Sequence, residues 1–287
     1  MGIVISPGCL VGERFEIEGV IAAGSFATVH RARDRTSGRV IALKVMPARE
    51  RAARQLAEEA EILAAFEPTG PSSVRHDGIV RLVEAGTTAD EHSYLALEWV
   101  EGQTLSSRLA AGTLTLDATR GLLVALAKVL DEVHRHGIIH RDLKPSNVVL
   151  REGDPSRPVL IDFGLARAAR TSTRMTSVVG TPSYMAPEQV WGDDVGPAAD
   201  FFSLGCVAFE CLMGAPPFMA VSTRPSTVTE VLARSLFEEA PRIDATRSDV
   251  PLVLVHAIAR LLARSPDARI ASARALEDCL LYTSRCV

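Results

Sequence analysis

Apolar and polar residues alternate with a period of two through FEIEGVIAAG (15–24), ATVHRARD (27–34) and RVIALKVM (39–46). That pattern predicts three strands, the last two joined by a turn at Ser37 and Gly38, in an antiparallel sheet. Over residues 49–66 the period changes: Ala, Glu, Arg and Leu recur at helical spacing with no Gly or Pro, which predicts one amphipathic helix. A loop, EPTGPSSVRHDG, then precedes two more strand patterns, IVRLVEAGTT and YLALEWV. Beyond Glu101 and Gly102 the pattern is mostly helical, clearest over 117–136, 198–213 and 250–264, with breaks at Pro216, Pro217 and Pro225. Two short apolar runs interrupt it, VVL (148–150) and VLI (159–161), and read as strands.

Composition narrows the function classes. With 47% apolar and 23% charged residues and a net charge of −4, the chain has ordinary globular composition and no basic footprint, which counts against nucleic acid as a partner. No run of 18 apolar residues and no basic leader segment occur, so neither a membrane segment nor a signal peptide is expected in these residues. The opening MGIVIS matches an N-myristoylation pattern, which means nothing in a bacterial chain. The five cysteines are odd in number and form no CxxC pair; a disulfide framework or zinc site is not expected, and a reducing cytoplasm fits. His134, His136 and His140 read as helix-end and core histidines rather than a metal cluster. Of 31 basic residues only Lys44, Lys128 and Lys144 are lysines. Richness in Arg and Ala suggests a GC-rich genome and hence a bacterial source.

The candidate chemistry lies in His140 to Asn147, HRDLKPSN, followed fifteen residues after Asn147 by Asp162, Phe163 and Gly164. The flanking strand patterns put Asn147 and Asp162 where loop meets strand, and two oxygen ligands there suit Mg²⁺. HRDLxxxN, DFG and a later APE together resemble the signature set of eukaryotic-type protein kinases, bacterial branch, over residues 15 to about 278. The resemblance implies an α+β, two-lobed fold: a small antiparallel N-lobe over 15–100 and a larger, mostly helical C-lobe over 101–278. It also implies transfer of the ATP γ-phosphoryl group, with Mg²⁺, to Ser/Thr hydroxyls of protein substrates, and activation by autophosphorylation, with a homodimer as the means of acting in trans.

Residue roles follow from the same resemblance. Lys44 would hold the α- and β-phosphates and pair with Glu59, chosen over Glu58 and Glu61 by the EAxIL pattern. Asp142 would orient the acceptor hydroxyl, Lys144 neutralise charge on the γ-phosphoryl, and Asn147 and Asp162 hold the metal. The phosphate-covering loop departs from the family pattern: Ala22 and Ala27 stand where glycines are usual, leaving Gly24, next to Ser25 and before Val29. Val29, Ala42, Leu97 and Val149 would line the adenine site, with backbone groups of Glu98 and Val100 as its hydrogen-bond partners. Thr181 would brace Asp142 and Lys144, Glu188 pair with Arg269, and Asp200 anchor the catalytic-loop backbone, with Phe163 and Gly164 structural. Arg141 and Arg167 would capture a phosphate on Thr171, Ser172, Thr173, Thr176 or Ser177, of which Thr176 is favoured.

Two competing readings share the fold. A pseudokinase or nucleotide-binding scaffold is motivated by Ala22 and Ala27 and opposed by the presence of Lys44, Glu59, Asp142, Asn147 and Asp162. A small-molecule phosphotransferase of the antibiotic-modifying kind is opposed by GTPSYMAPE, a peptide-docking segment such enzymes do not need. The tail CLLYTSRCV (279–287) leaves the helical pattern after ASARALED, and its first six residues are a translation of a common transposon sequencing adaptor. Read as an assembly artefact, the tail predicts a natural chain that continues past residue 278, where relatives often carry a linker, membrane helix and sensor; the alternative reading is a frayed native C-terminus.

Overall fold

The alternation in the first hundred residues resolves into the register of one sheet. In the computed structural model, which describes residues 4–24, 27–47, 49–68, 76–164, 166–168, 181–219 and 227–282, six antiparallel strands run in the order β1-β2-β3-β4-β6-β5. They are β1 (Leu10–Val11), β2 (Phe15–Ala23), β3 (Thr28–Asp34), β4 (Val40–Met46), β5 (Leu82–Thr87) and β6 (Ser93–Glu98). Between β4 and β5 lies helix α1 (Glu50–Ala64). Residues directly opposite across a ladder share a face. The pairs Ala32↔Ile41, His30↔Leu43 and Leu43↔Ala96 therefore collect one face, on which Phe15, Ile17, Ala32, Ile41, Leu43, Val45, Tyr94 and Ala96 form a buried core. The pairs Val29↔Lys44, Ala42↔Leu97 and Lys44↔Leu95 define the other face.

Two compact units emerge: Met1–Glu101 with Asp162–Gly164, and Gly102–Ile161 with Leu165–Val287. In the first, Arg14 ties the strands together, its guanidinium donating to Asp34 at 2.7 Å and Glu84 at 2.5 Å. That cation holds the Asp34 carboxyl well below the usual carboxylate range. Tyr94, which donates to Glu84 at 2.7 Å, is pushed up to about 12 by burial and by that carboxylate.

The second unit contains β7 (Gly102–Thr104), α2 (Leu105–Ala110), α3 (Leu116–Arg135), β8 (Ile138–Ile139), β9 (Val148–Arg151), β10 (Pro158–Leu160) and β11 (Arg167–Ala168). They are followed by α4 (Pro187–Trp191), α5 (Ala198–Met213), α6 (Val228–Phe237), α7 (Leu252–Leu261) and α8 (Ala273–Tyr282). Helix α5 is buried almost throughout and packs on α3 and α7. The expected helix over 250–264 is shorter at both ends, Leu252–Leu261, its start fixed by Pro251 at the N-cap. One expectation is corrected: the helical pattern does not stop at Asp278. Helix α8 runs on to Tyr282, with Leu276 and Leu280 buried one turn apart, so Cys279 and Leu280 continue its apolar stripe.

Gly102 occupies φ +144°, and a Cβ there would lie 2.0 Å from the Leu150 carbonyl oxygen across the β7–β9 ladder. That neighbour is backbone and cannot yield, so Gly102→Ala is expected to cost about 3 kcal/mol of stability. A lowered urea midpoint at unchanged slope checks it; a midpoint equal to the parent's contradicts it.

Candidate active site

Helix α1 buries one position per turn, Leu56, Glu59 and Leu63, so Glu59 is a carboxylate set in an apolar stripe, whereas Glu58 and Glu61 are exposed. Its Oε2 accepts from Lys44 Nζ at 2.7 Å, and the same ammonium reaches Asp162 Oδ1 at 3.1 Å. Glu59 Oε1 also accepts the Phe163 N–H at 3.4 Å, while Phe163 packs on Phe66 with ring centroids 5.6 Å apart. Burial works against the Lys44 charge, but Asp162 and Glu59 outweigh it and raise the ammonium above the usual lysine range. It is therefore a fixed cation at neutral pH. Asp162 stays 40% exposed, against 1% for Glu59, so one carboxylate holds Lys44 from within and the other faces outward. Gly164 is needed beside this cluster: its N–H donates to Asp162 Oδ1 at 3.1 Å, and a Cβ there would stand 3.1 Å from the same oxygen and 3.5 Å from Lys44 Nζ.

In the second unit the HRDLKPSN segment forms a loop and short turn between β8 and β9. Asp142 Oδ2 accepts from Lys144 Nζ at 2.7 Å and from Asn147 Nδ2 at 3.1 Å. Asn147 also donates to the Asp142 carbonyl at 2.9 Å, so its amide nitrogen is committed to Asp142 and its oxygen lies near the Ser146 hydroxyl, 3.5 Å away. Lys144 donates to Thr181 Oγ1 at 2.9 Å. Thr181 thus meets Lys144 directly and Asp142 through the Lys144 ammonium.

The backbone of this loop is held from below. Arg141 adopts φ +65°, uncommon for a residue with a side chain. Asp200, with no exposed surface, accepts the His140 N–H at 2.9 Å, the Arg141 N–H at 2.8 Å and His134 Nε2 at 2.7 Å. Burial opposes the Asp200 charge, yet these donors keep its carboxyl below the usual range. Glu188 receives a two-pronged bond from Arg269 at 2.8 and 3.1 Å, and Arg269 also donates to the carbonyls of Ala198, Ala263 and Arg264.

Val29, Ala42 and Leu97 share the sheet face that carries Lys44. The Glu98 N–H donates to the Arg81 carbonyl at 2.9 Å. Val100 is buried, and Val149 lies on β9 in the second unit. Ala22 pairs with Val29, and the hairpin closes through the Gly24 N–H on the Ala27 carbonyl at 2.9 Å. Ala22 is exposed, and its φ is not positive, so its side chain is accommodated. Arg167 pairs with Ile139 across the β8–β11 ladder. Ser25, Thr171, Ser172, Thr173, Thr176 and Ser177 lie outside the described residues.

A lysine–carboxylate pair beside an outward aspartate, and a second aspartate clamped by a lysine and an asparagine, are parts that phosphoryl transfer uses. A family model described as "Protein kinase domain" matches residues 15–281. The chain belongs to the protein kinase domain family. Relatives are named as serine/threonine kinases. A probable PknB of Bifidobacterium longum is 35% identical over 78% of this chain and 34% of its own length. A probable kinase of Streptomyces coelicolor is 32% identical over 92% of this chain and 39% of its own. PknB of Mycobacterium leprae is 30% identical over 87% and 40%. The chain therefore spans between about a third and two fifths of the length of these three relatives. Its relatives are serine/threonine-protein kinases, bacterial ones among them, and the family uses ATP and a divalent metal. Among the described residues, no helix is long and apolar enough to cross a membrane.

Motif reading passed over Gln189, one residue beyond APE, and the Tyr184–Glu210 bond of 2.6 Å, whose acceptor lies in no named motif. The depressed Asp200 carboxyl gives a signed prediction. Its ionised form stabilises the fold above the unfolded aspartate value of about 3.9, and that stabilisation is lost as pH falls through the lower folded value. Asp200→Asn should therefore cost about 3 kcal/mol at pH 7 and clearly less near pH 3. Urea unfolding of both proteins at the two pH values checks it; an equal difference at both would contradict the assignment.

Proposed function

We propose that this domain transfers the γ-phosphoryl group of Mg²⁺-bound ATP to serine and threonine hydroxyls of proteins, with each site residue in the role its chemistry suits. The observation that carries the reading is the pair of ammonium contacts, Lys44 to Glu59 at 2.7 Å and Lys144 to Asp142 at 2.7 Å. Lys44, held by Glu59, binds the α- and β-phosphates. Asp142 accepts the hydrogen bond of the incoming hydroxyl and orients it, while Lys144 offsets charge on the moving phosphoryl. Asn147 and Asp162 supply oxygen donors of the hard kind that Mg²⁺ takes. Commitment of the Asn147 nitrogen to Asp142 leaves its oxygen as the group a metal would take, and Asp162 is 40% exposed; both fit a metal. When bound, the ion screens the phosphate charge, and the protein's own part is to fix the groups around it.

Val29, Ala42, Leu97 and Val149 give the apolar surface for adenine, the Glu98 carbonyl and Val100 N–H its polar edge, and Gly24 and Ser25 the phosphate cover. Ala22 and Ala27 favour a weaker nucleotide affinity than a full glycine loop confers. Arg141 and Arg167 receive a phosphate placed by autophosphorylation, in trans between two copies, on Thr171, Thr173, Thr176 or Ser177. Its partners are protein substrates, and a cytoplasmic site of action fits the cysteine usage. DLKPSN and the Lys144–Thr181 bond favour serine and threonine over tyrosine.

Incubation with radiolabelled ATP and Mg²⁺, with the protein itself and a generic basic protein as acceptors, tests the reading. Label on serine and threonine is expected for the parent and is expected to fall at least about a hundredfold in Lys44→Met and Asp142→Asn. Absence of transfer by the parent, with Mg²⁺-dependent ATP binding intact, would favour the scaffold reading instead. Phosphosite mapping of the active preparation is expected to find modification within Thr171 to Ser177; none there would reject autoactivation.

A further inference from the structure

Two side chains hold the Arg141 peptide units, and only one of them belongs to a motif. Asp200 accepts the Arg141 N–H at 2.8 Å. On the other side, the Arg141 carbonyl accepts from Gln189 Nε2 at 3.0 Å, across 48 residues of sequence. Gln189 is itself fixed, because its Oε1 accepts the Ala186 N–H at 3.0 Å and its side chain is buried, 4% exposed. The amide is used at both ends, one acceptor and one donor, and the bonded carbonyl is in the peptide linking Arg141 to Asp142. Arg141 holds φ +65°, a conformation that persists for such a residue only where surrounding bonds over-determine it. Asp142 then follows with its N–H on His140 Nδ1 at 3.3 Å.

We propose that Gln189 is a positioning residue for phosphoryl transfer: by holding the Arg141 carbonyl it fixes the peptide plane that aims the Asp142 carboxylate. The inference rests on the kinase reading and deepens it. It links the segment that starts α4 to the catalytic loop through a bond neither end can replace. A hydrophobic side chain at 189 removes both the donor to the Arg141 carbonyl and the acceptor of the Ala186 N–H. Glutamate keeps the acceptor for Ala186, and it regains a donor for Arg141 only when protonated. Charged and titratable groups beside Gln189 in the chain or joined to it through these bonds are Glu188, paired with Arg269, Arg141 itself, its neighbours His140 and Asp142, the latter paired with Lys144, and Asp200, which carries three donors.

Gln189→Met and Gln189→Glu decide the matter in steady-state transfer from ATP, beside amide hydrogen exchange of the segment 138–145. Expected for Gln189→Met is a kcat lowered about tenfold with KM for ATP within about twofold, and faster exchange confined to that segment. Expected for Gln189→Glu is activity nearer the parent's at pH 6 than at pH 8.5. A Gln189→Met protein with parental kcat and parental exchange would overturn the proposal. A parent that transfers no phosphate sinks the kinase reading, and the exchange comparison then decides by itself whether Gln189 holds the loop. Should Gln189→Met not fold, Gln189→Glu at pH 8.5 carries the same two readouts, and parental values in both would overturn it.

Discussion

A carboxylate with no exposed surface, Asp200, is the fixed point of the second unit. An ion taken out of water costs several kcal/mol unless its lone pairs are satisfied. Here the two loop amides of His140 and Arg141 and the His134 ring supply three bonds between 2.7 and 2.9 Å. Those amides sit in a backbone turn that cannot satisfy them by helix or sheet pairing. The carboxylate and the turn thus stabilise each other, and neither would hold in isolation. Being carried by the most deeply buried helix, α5, the carboxylate gives the loop above it the stiffness of the core.

The first unit solves a different problem with similar groups. Lys44 faces one carboxylate that is buried and one that is 40% exposed. Glu59 supplies the buried counter-ion that helps the ammonium keep its charge inside a sheet, while burial pushes the Glu59 carboxyl itself above the usual range. Asp162 is shared, since Lys44 and the Gly164 N–H take one oxygen while the group as a whole remains open to solvent. The helix controls this arrangement: Glu59 occupies the position in the α1 stripe between Leu56 and Leu63, and rotating the helix by one residue would remove the counter-ion.

Period and motif made most of this legible before any coordinates. The strands of 15–46 fall where alternation places them, and helix 198–213 is found with the bounds its apolar run suggests. Glu59 is told from its neighbours by the EAxIL pattern of the family the chain resembles, and it lies on the buried stripe of α1. What the sequence hid was long-range pairing of ordinary polar residues. Gln189 has no motif letter, and its partner is a carbonyl, which every residue possesses. Thr181 reaches Asp142 only through Lys144, a distinction that spacing cannot express. The end of α8 was hidden for another reason: Cys279 and Leu280 extend the stripe of Leu276, but so short an extension carries little periodicity.

The rarity of lysine in this chain also has a physical reading. Lys44 Nζ meets Glu59 and Asp162, and Lys144 Nζ meets Asp142 and Thr181, each a small ammonium touching oxygens from separate segments. A planar guanidinium would need more room and a fork of acceptors. Where such a fork exists, arginine stands: Arg269 takes both Glu188 oxygens and three carbonyls. Lys128 is the control, since it is 56% exposed with a single partner, Glu277, at 2.8 Å, and nothing in its surroundings selects an ammonium. In a chain that otherwise uses arginine, lysine at 44 and 144 therefore reflects acceptor geometry, and at 128 it does not.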